Sequence, residues 1–196
     1  MVLKNPNEFQ KERTLVYFVR HGERIHIPNK KDIGLEIPGP GLTKEGITQA
    51  KKVAKGFSRI KNEIDVIYSS DMLRAIETAN EISKATGRKF KVIKGLSEIN
   101  NIYNKKKYLQ RHFLRDFIKH YSSLKVFNNI LKNNKGKIVI IVGHGNILKG
   151  IIGKKLGLSF KQISKFGHRN GNTTLISFKG QKLDFIEYIN SKELFY

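Results

Sequence analysis

The chain has 196 residues and no cysteine, and its 38 lysines and arginines exceed its 16 acidic residues to give a net charge of +22. This length predicts one domain over residues 1–196. The lack of cysteine excludes disulfides and thiolate metal sites, and no apolar run is long enough to span a bilayer. The start carries no apolar leader, so we interpret the chain as cytoplasmic with no membrane partner.

The excess of positive charge favours anionic partners. Small phosphorylated substrates are the first expectation, and the charge alone does not exclude nucleic acid. General composition and solubility explain the same charge without any selected partner. The sequence leaves monomer and homodimer equally open.

The first predicted strand covers residues 14–19 and ends at Arg20 and His21. A long loop follows and closes at the glycine- and proline-rich segment 38–41, a length that favours a functional role. Thr43 is then predicted as the N-cap of an amphipathic helix that runs to about Arg59.

A short buried strand is predicted at 65–68, and residues 69–71 supply turn and cap residues for the next helix. That helix should end near Gly87 and bury one apolar face: Ala75, Ile76, Ala79 and Ile82. Another strand is predicted at 90–93 and a helix from 108 to about 132. Its candidate core contacts are Leu109, Phe113, Phe117, Tyr121, Leu124, Phe127 and Leu131.

A buried strand at 138–143 ends beside His144 and precedes a predicted helix at 146–154. Two final strands are predicted at 173–178 and 183–188. Alternating strands and helices predict a three-layer α/β/α sandwich with a mostly parallel central sheet. Ligands bind such sheets beyond the carboxyl ends of the strands. Arg20–His21, the segment 69–74 and His144 should therefore face one crevice.

His21 has the chemistry of a nucleophile, because a neutral imidazole can attack phosphorus when its other ring nitrogen is held by a partner. A backbone carbonyl is a common partner, and Gly22 would allow its approach. Taken alone, His21 is better explained as a structural strand-end histidine. Arg20 and Arg74 change this interpretation, since their guanidinium groups suit phosphate oxygens, although Arg74 also fits a solvated helix face. Gly143 and Gly145 flank His144 and should permit close backbone approach.

Six segments together resemble the histidine phosphatase superfamily, also called the phosphoglycerate mutase-like family. They occur in the family's order between about residues 14 and 188: Arg20-His21-Gly22-Glu23, Leu42-Thr43-Lys44-Glu45-Gly46-Ile47-Thr48-Gln49-Ala50, Tyr68-Ser69-Ser70-Asp71-Met72-Leu73-Arg74-Ala75-Ile76-Glu77-Thr78-Ala79, Leu96-Ser97-Glu98, Val142-Gly143-His144-Gly145 and Asn172-Thr173-Thr174.

The resemblance implies the fold and a role for each matched residue. His21 would be phosphorylated, and Arg20, Arg74 and His144, with the neighbouring Gly145, would bind the phosphate. Glu98 would protonate the leaving oxygen and then help to activate water, which a carboxyl with a raised pKa can do near neutral pH. No metal or other cofactor is implied, because the arginines supply the positive charge.

The sequence departs from the family pattern at two places. Arg24 stands where many members have serine or threonine, and it would either contact an anionic substrate or face solvent. The glycines that commonly follow the acid motif are absent after Glu98, so a solvated loop carboxylate stays open there. Glu23 and Glu45 are less favoured as donors, and Glu36 is a distant reserve.

The resulting expectation is a metal-independent phosphomonoesterase that works through a phosphohistidine on His21. A phosphoglycerate mutase-type transfer is the first alternative, disfavoured because the basic helical insert at about 100–135 is modest in size. A phosphohistidine protein phosphatase is disfavoured by the match at Glu98. The insert holds nine lysines and arginines against one acid, with aromatic residues between them. A nucleic-acid or nucleotide-binding module that uses this insert is therefore also considered.

Overall fold

The computed structural model describes residues 12–26, 38–99 and 110–192, without the side chains of 110–116. Most of the predicted loop 22–41, and residues Leu109 and Phe113 of the predicted core, lie outside this description. Within it, strands and helices alternate along the chain. They are β1 (Arg13–Arg20), α1 (Lys44–Ser58), β2 (Val66–Ser70), α2 (Leu73–Thr86), β3 (Phe90–Ile93), α3 (Gln110–Asn133), β4 (Ile138–Gly143), α4 (Gly145–Lys155), α5 (Phe160–Ile163), β5 (Thr173–Lys179) and β6 (Lys182–Ser191).

The strands form one six-stranded sheet in the order β3-β2-β4-β1-β5-β6. The four strands β3, β2, β4 and β1 are mutually parallel. β5 pairs antiparallel with β1, and β6 returns antiparallel to β5. The predicted mostly parallel α/β sheet is confirmed, with a hairpin added at one edge.

Helices cover both faces of the sheet because alternate residues of each strand point to opposite sides. On β1, Val16 and Phe18 pack with apolar residues of α3 and α4 such as Phe127. Tyr17 and Val19 face the other way, toward apolar residues of α1 and α2 such as Phe57. The three-layer prediction is therefore confirmed. Among the described residues, none of the helices is long and apolar enough to cross a membrane.

Two predicted helix ends agree with the structure and one does not. Thr43 caps α1 by accepting a hydrogen bond from the Gly46 amide at 2.9 Å, and Gly87 ends α2 with φ at 70°. The expected side-chain cap of α2 is wrong, because Met72 takes the N-cap position without a side-chain hydrogen bond. The hydroxyl group of Ser70 instead contacts His144.

The predicted core face of α3 needs one correction. Tyr121 is 45% exposed, while His120 and Ser123 are buried. These two polar residues lie on the same helical stripe as Phe127 and Leu131, which are buried as expected. The prediction placed Tyr121 on the buried stripe because hydrophobic periodicity considers only apolar residues.

Strand register brings the two expected histidines to one level. Arg20 of β1 pairs with Gly143 of β4, so His21 and His144 follow directly at the carboxyl ends of adjacent parallel strands. β2 lies on the other side of β4 and ends at Ser70.

Candidate active site

His21 is buried and both of its ring nitrogens are engaged. Nδ1 lies 2.5 Å from the Gly22 carbonyl oxygen, and because a carbonyl only accepts hydrogen bonds, Nδ1 carries the proton. Nε2 accepts a hydrogen bond of 3.1 Å from Arg74 Nε. The expected backbone carbonyl partner is present. Nε2 is thus the unprotonated ring nitrogen, and its lone pair is the one that could attack an electrophile.

The surroundings of His21 keep its ring neutral. Burial lowers its pKa well below the ordinary value, and the nearby charge of Arg74 lowers it further. The hydrogen bond to the Gly22 carbonyl acts in the opposite direction and does not overcome these effects. The neutral imidazole is the nucleophilic form, so the ring is ready to attack near neutral pH.

Gly22 and Gly46 allow the His21 loop and the start of α1 to touch. A Cβ on Gly22 would lie 2.2 Å from the Gly46 carbonyl oxygen, and a Cβ on Gly46 would lie 2.1 Å from that of Glu23. The Gly22 amide also donates to Thr78 Oγ1 at 3.1 Å, on α2. Backbone contact between two glycines therefore joins the loop to α1, and the threonine joins it to α2.

Two arginines add positive charge around His21. Arg74 is 1% exposed, and its Nη2 donates to the sulfur of Met72 at 3.3 Å. Burial lowers the Arg74 pKa to about 10, opposed by the carboxyl of Glu98, so the side chain stays charged at neutral pH. Arg20 donates through Nη1 to the His168 carbonyl, while its buried Nε has no hydrogen-bond partner within the described residues.

His144 faces His21, with ring centroids 5.0 Å apart. Its Nε2 contacts Ser70 Oγ at 2.8 Å, and its buried Nδ1 lacks a partner in the described part of the chain. The pKa of His144 is well below the ordinary value because of burial, then of the charges of His21, Arg74 and Arg20.

The two glycines beside His144 differ. A Cβ on Gly145 would meet the Arg20 guanidinium at 3.3 Å, whereas a Cβ on Gly143 would make ordinary contact with Leu148 at 3.6 Å. The expected close approach therefore holds for Gly145 and is wrong for Gly143.

Glu98 lies beside the arginines, and its carboxyl is the candidate proton donor that the structure favours. Burial raises its pKa despite Arg20, Arg74 and a 3.1 Å hydrogen bond from the Ile99 amide. Its other oxygen lies 3.5 Å from the Asn146 amide. Glu23 and Glu45 are exposed and therefore less suitable, and Glu36 lies outside the described residues.

Arg24 is half-buried at the edge of the site. Its backbone forms an isolated bridge with Leu42, and its Nη1 donates to the Ile25 carbonyl at 3.2 Å. The charge of Arg24 lowers the pKa of His21, Arg20 and Arg74. This side chain is therefore close enough to act electrostatically on an anion bound there.

Two residues of the site were not predicted from the sequence. Asn170 Nδ2 donates to the carbonyl oxygens of His21 at 3.0 Å and Gly22 at 3.1 Å, and so braces the carbonyl that orients the His21 ring. Lys149, 8% exposed on α4, has a pKa lowered by burial and raised by Glu98. Asn172, which belongs to a segment that matches the family, donates through its side chain to the Asn190 carbonyl at 2.7 Å.

Comparisons with known proteins show the family of this chain. The sequence profile of the "Histidine phosphatase superfamily (branch 1)" matches residues 16–108 and 122–191. The Hydrogenobacter thermophilus protein named "Putative phosphoserine phosphatase 2" is 27% identical over 196 residues, covering 89% of this chain and 94% of its own length.

Solved structures share the fold. A phosphoserine phosphatase mutant from Entamoeba histolytica in complex with phosphoserine has a TM-score of 0.69 at 24% identity, covering 93% of this chain and 100% of its own. The alpha-ribazole phosphatase from Shigella flexneri has a TM-score of 0.71 at 17% identity, covering 93% and 98%. Because the family profile covers most of the chain, the protein belongs to the histidine phosphatase superfamily, and we class it with the phosphomonoester hydrolases of that family.

Proposed function

We propose that this enzyme hydrolyses a phosphate monoester in two steps through a phosphohistidine on His21. The observation that carries the proposal is the buried His21 ring, which holds its proton on Nδ1 at the Gly22 carbonyl and leaves Nε2 unprotonated, 3.1 Å from Arg74 Nε. Nε2 would attack phosphorus while the bond from phosphorus to the ester oxygen breaks. That oxygen would take the proton of Glu98 as it leaves.

In the second step the roles of acid and base reverse. The ionised carboxylate of Glu98 would accept a proton from water as the water oxygen attacks the phosphoryl group. The bond from phosphorus to Nε2 of His21 then breaks, and inorganic phosphate leaves. Glu98 ends protonated and His21 ends neutral, so both groups return to their starting states.

The charge that develops on the phosphoryl oxygens would be met by side chains. Arg20 Nε and His144 Nδ1 are both buried nitrogens that have no hydrogen-bond partner in the described residues. Together with the charged Arg74 they would surround the equatorial oxygens. Catalysis of phosphoryl transfer relies mostly on such positioning and charge, so we expect turnover without a divalent metal.

Trapping the phosphoryl enzyme tests this proposal. In buffer containing a chelator, a reaction with radiolabelled ester that is quenched within one turnover should give labelled protein whose phosphate is stable in alkali and lost in acid. The label should decay to inorganic phosphate without an added acceptor. Decay only when a phosphoglycerate acceptor is present would instead support the mutase alternative, and absence of any label under these conditions would contradict the intermediate.

For the substrate, we propose a small phosphate ester that also carries a carboxylate. The name of the bacterial relative and the ligand of the Entamoeba structure both point to phosphoserine in those proteins. In this chain, a phosphate dianion would balance two of the three positive charges of Arg20, Arg24 and Arg74, and Glu98, protonated as the acid, would not balance the third. Arg24, at the edge of the site, is the residue we assign to the carboxylate.

Replacing Arg24 with alanine should therefore weaken kcat/KM selectively. A charge-assisted hydrogen bond contributes about 1.5 kcal/mol, or roughly tenfold. We expect that loss for phosphoserine and a smaller loss for phosphoethanolamine, which lacks the carboxylate. Arg88→Ala is the matched control, because Arg88 is an exposed residue before β3, at the opposite end of the strands. Equal losses for both esters would contradict the assignment of Arg24 to the carboxylate.

A further inference from the structure

The hydroxyl group of Ser70 occupies a junction behind His144. Ser70 Oγ lies 2.8 Å from His144 Nε2, 3.3 Å from the Met72 amide nitrogen and 3.4 Å from Asp71 Oδ1. Ser70 and His144 are both fully buried, so their contact is made away from bulk water, while Asp71 is partly exposed. The junction connects a ring that faces the nucleophile to a carboxylate that does not.

The Ser70 hydroxyl group can take two hydrogen-bond arrangements, or settings. A hydroxyl group has one proton to donate and two lone pairs that accept. The Met72 amide can only donate, so it uses one lone pair. The Ser70 proton can then go to His144 Nε2, which requires Nε2 to be unprotonated. Alternatively it goes to Asp71 Oδ1, and Ser70 then accepts a proton from His144 Nε2.

The two settings allow His144 two charge states when its Nδ1 carries a proton. In the first, a neutral ring keeps its one proton on Nδ1, the buried nitrogen without a described partner. The second requires a proton on Nε2; when Nδ1 also donates to a bound anion, both nitrogens are protonated, and Asp71 supplies the opposite charge one hydroxyl group away. In both settings Nε2 keeps its hydrogen bond to Ser70, so His144 can change its charge without leaving Nε2 unsatisfied.

Asp71 is itself held in place from the segment that carries Glu98. Ser97 Oγ donates to Asp71 Oδ1 at 2.6 Å, and the Glu98 amide donates to Met72 sulfur at 3.2 Å. The chain of contacts therefore runs from the candidate acid segment through Asp71 and Ser70 to His144.

We propose that Ser70 is a two-way hydrogen-bond relay that lets His144 gain a proton when the phosphoryl group binds, with Asp71 as its counter-charge. The proton comes from solvent and returns to it when phosphate leaves. The proposal deepens the proposed function and rests on it, because it requires an anion between His21 and His144. Ser70 and Asp71 act through His144 and are positioning residues.

Charges around His144 explain why the proton arrives with the ligand. In the empty site, burial and the neighbouring His21, Arg74 and Arg20 hold its pKa low. Glu98 on the adjacent segment has a raised pKa, and buried Lys149 lies on α4. A bound dianion would reverse the sign of the local field and favour the doubly protonated ring. In the relay, the second proton is on His144 Nε2, and Ser70 Oγ accepts the hydrogen bond that it makes.

The test observes the ring nitrogens of His144 directly. Nitrogen NMR of the full chain labelled with ¹⁵N-histidine distinguishes protonated from unprotonated ring nitrogens, and His144→Gln assigns the signals. Sulfate is the probe, because it stays a dianion near neutral pH and takes up no proton itself. We expect one proton on the His144 ring without sulfate and two with it. Ser70→Ala and Asp71→Asn should both prevent the second protonation at the same pH.

The variants also predict how binding changes. Asp71→Asn keeps the size of the side chain and an acceptor for Ser97 but removes the charge, so we expect roughly tenfold weaker sulfate inhibition at pH 7, with the difference shrinking at lower pH. Ser69→Ala is the matched control. Ser69 Oγ donates to the backbone carbonyl of Ser70 at 2.9 Å and not to its hydroxyl group, so this variant should behave as wild type. An unchanged number of protons on His144 with sulfate bound, or normal behaviour of Asp71→Asn, would overturn the relay alone. If sulfate changed the ring nitrogen signals of neither His21 nor His144, the result would count against the phosphoryl site as well.

Discussion

His21→Ala is expected to lower kcat for phosphate ester hydrolysis by roughly 10⁴-fold or more, the scale seen when an enzyme loses its nucleophile. The variant lacks the Nε2 lone pair that would attack phosphorus, and no labelled protein should form in the trapping experiment. Arg20, Arg74 and His144 remain, so sulfate should still bind. Loss of turnover with retained anion binding separates the nucleophile from the binding site.

The control for this variant lies five residues further along the chain. His26 is exposed, and His26→Ala should keep wild-type activity. Circular dichroism and thermal unfolding of both variants show whether the fold is retained. Activity above about one per cent of wild type in a folded His21→Ala protein would remove His21 from the role of nucleophile.

Glu98→Gln is expected to have an effect that depends on the leaving group. General acid catalysis typically contributes 10²–10⁴-fold, and it matters most when the leaving oxygen is strongly basic. For an alkyl ester such as phosphoserine we expect a loss of roughly 10³-fold. For a nitrophenyl phosphate, whose leaving group departs without a proton, we expect a loss below about tenfold in the phosphorylation step. Glu23→Gln, which changes an exposed carboxyl two residues from His21, is the matched control.

The pH profile gives the same assignment an independent readout. Glu98 acts as an acid only when it is protonated, and burial raises its pKa. Hydrolysis of an alkyl ester should therefore decrease as the pH rises through that raised pKa. In Glu98→Gln this decrease should disappear, while the ionisation of the substrate contributes equally to both profiles. An unchanged alkaline limb in the variant would assign it to another group.

The order of elements was predictable because their signals are local. Apolar strands before His21 and His144, the cap at Thr43 and the glycine after α2 each depend on a few neighbouring residues. The start of α2 was predicted less well, because the Ser70 side chain contacts His144, which is distant in the sequence. Tyr121 was misplaced because the buried stripe of α3 includes polar side chains that hydrophobic periodicity ignores.

The candidate site was predictable only for residues that carry the chemistry. His21, Arg74 and His144 come together because parallel strands end at the same edge of a sheet. Asn170 was missed, since its task is to brace the backbone of His21 across about 150 residues of chain, and one sequence contains no local sign of such a contact. The relay from Ser70 to His144 was missed for the same reason.

The pairing of Arg20 with Gly143 has a consequence for how this enzyme can diverge. Neighbouring strands lie about 4.8 Å apart, close to the 5.0 Å between the rings of His21 and His144. The spacing of the two histidines is therefore inherited from the hydrogen bonds between β1 and β4, and connecting segments do not have to set it. Mutations or insertions in those segments would leave the spacing of the two rings unchanged as long as β1 and β4 stay paired. The geometry of the histidine pair can thus be retained while the connecting segments change.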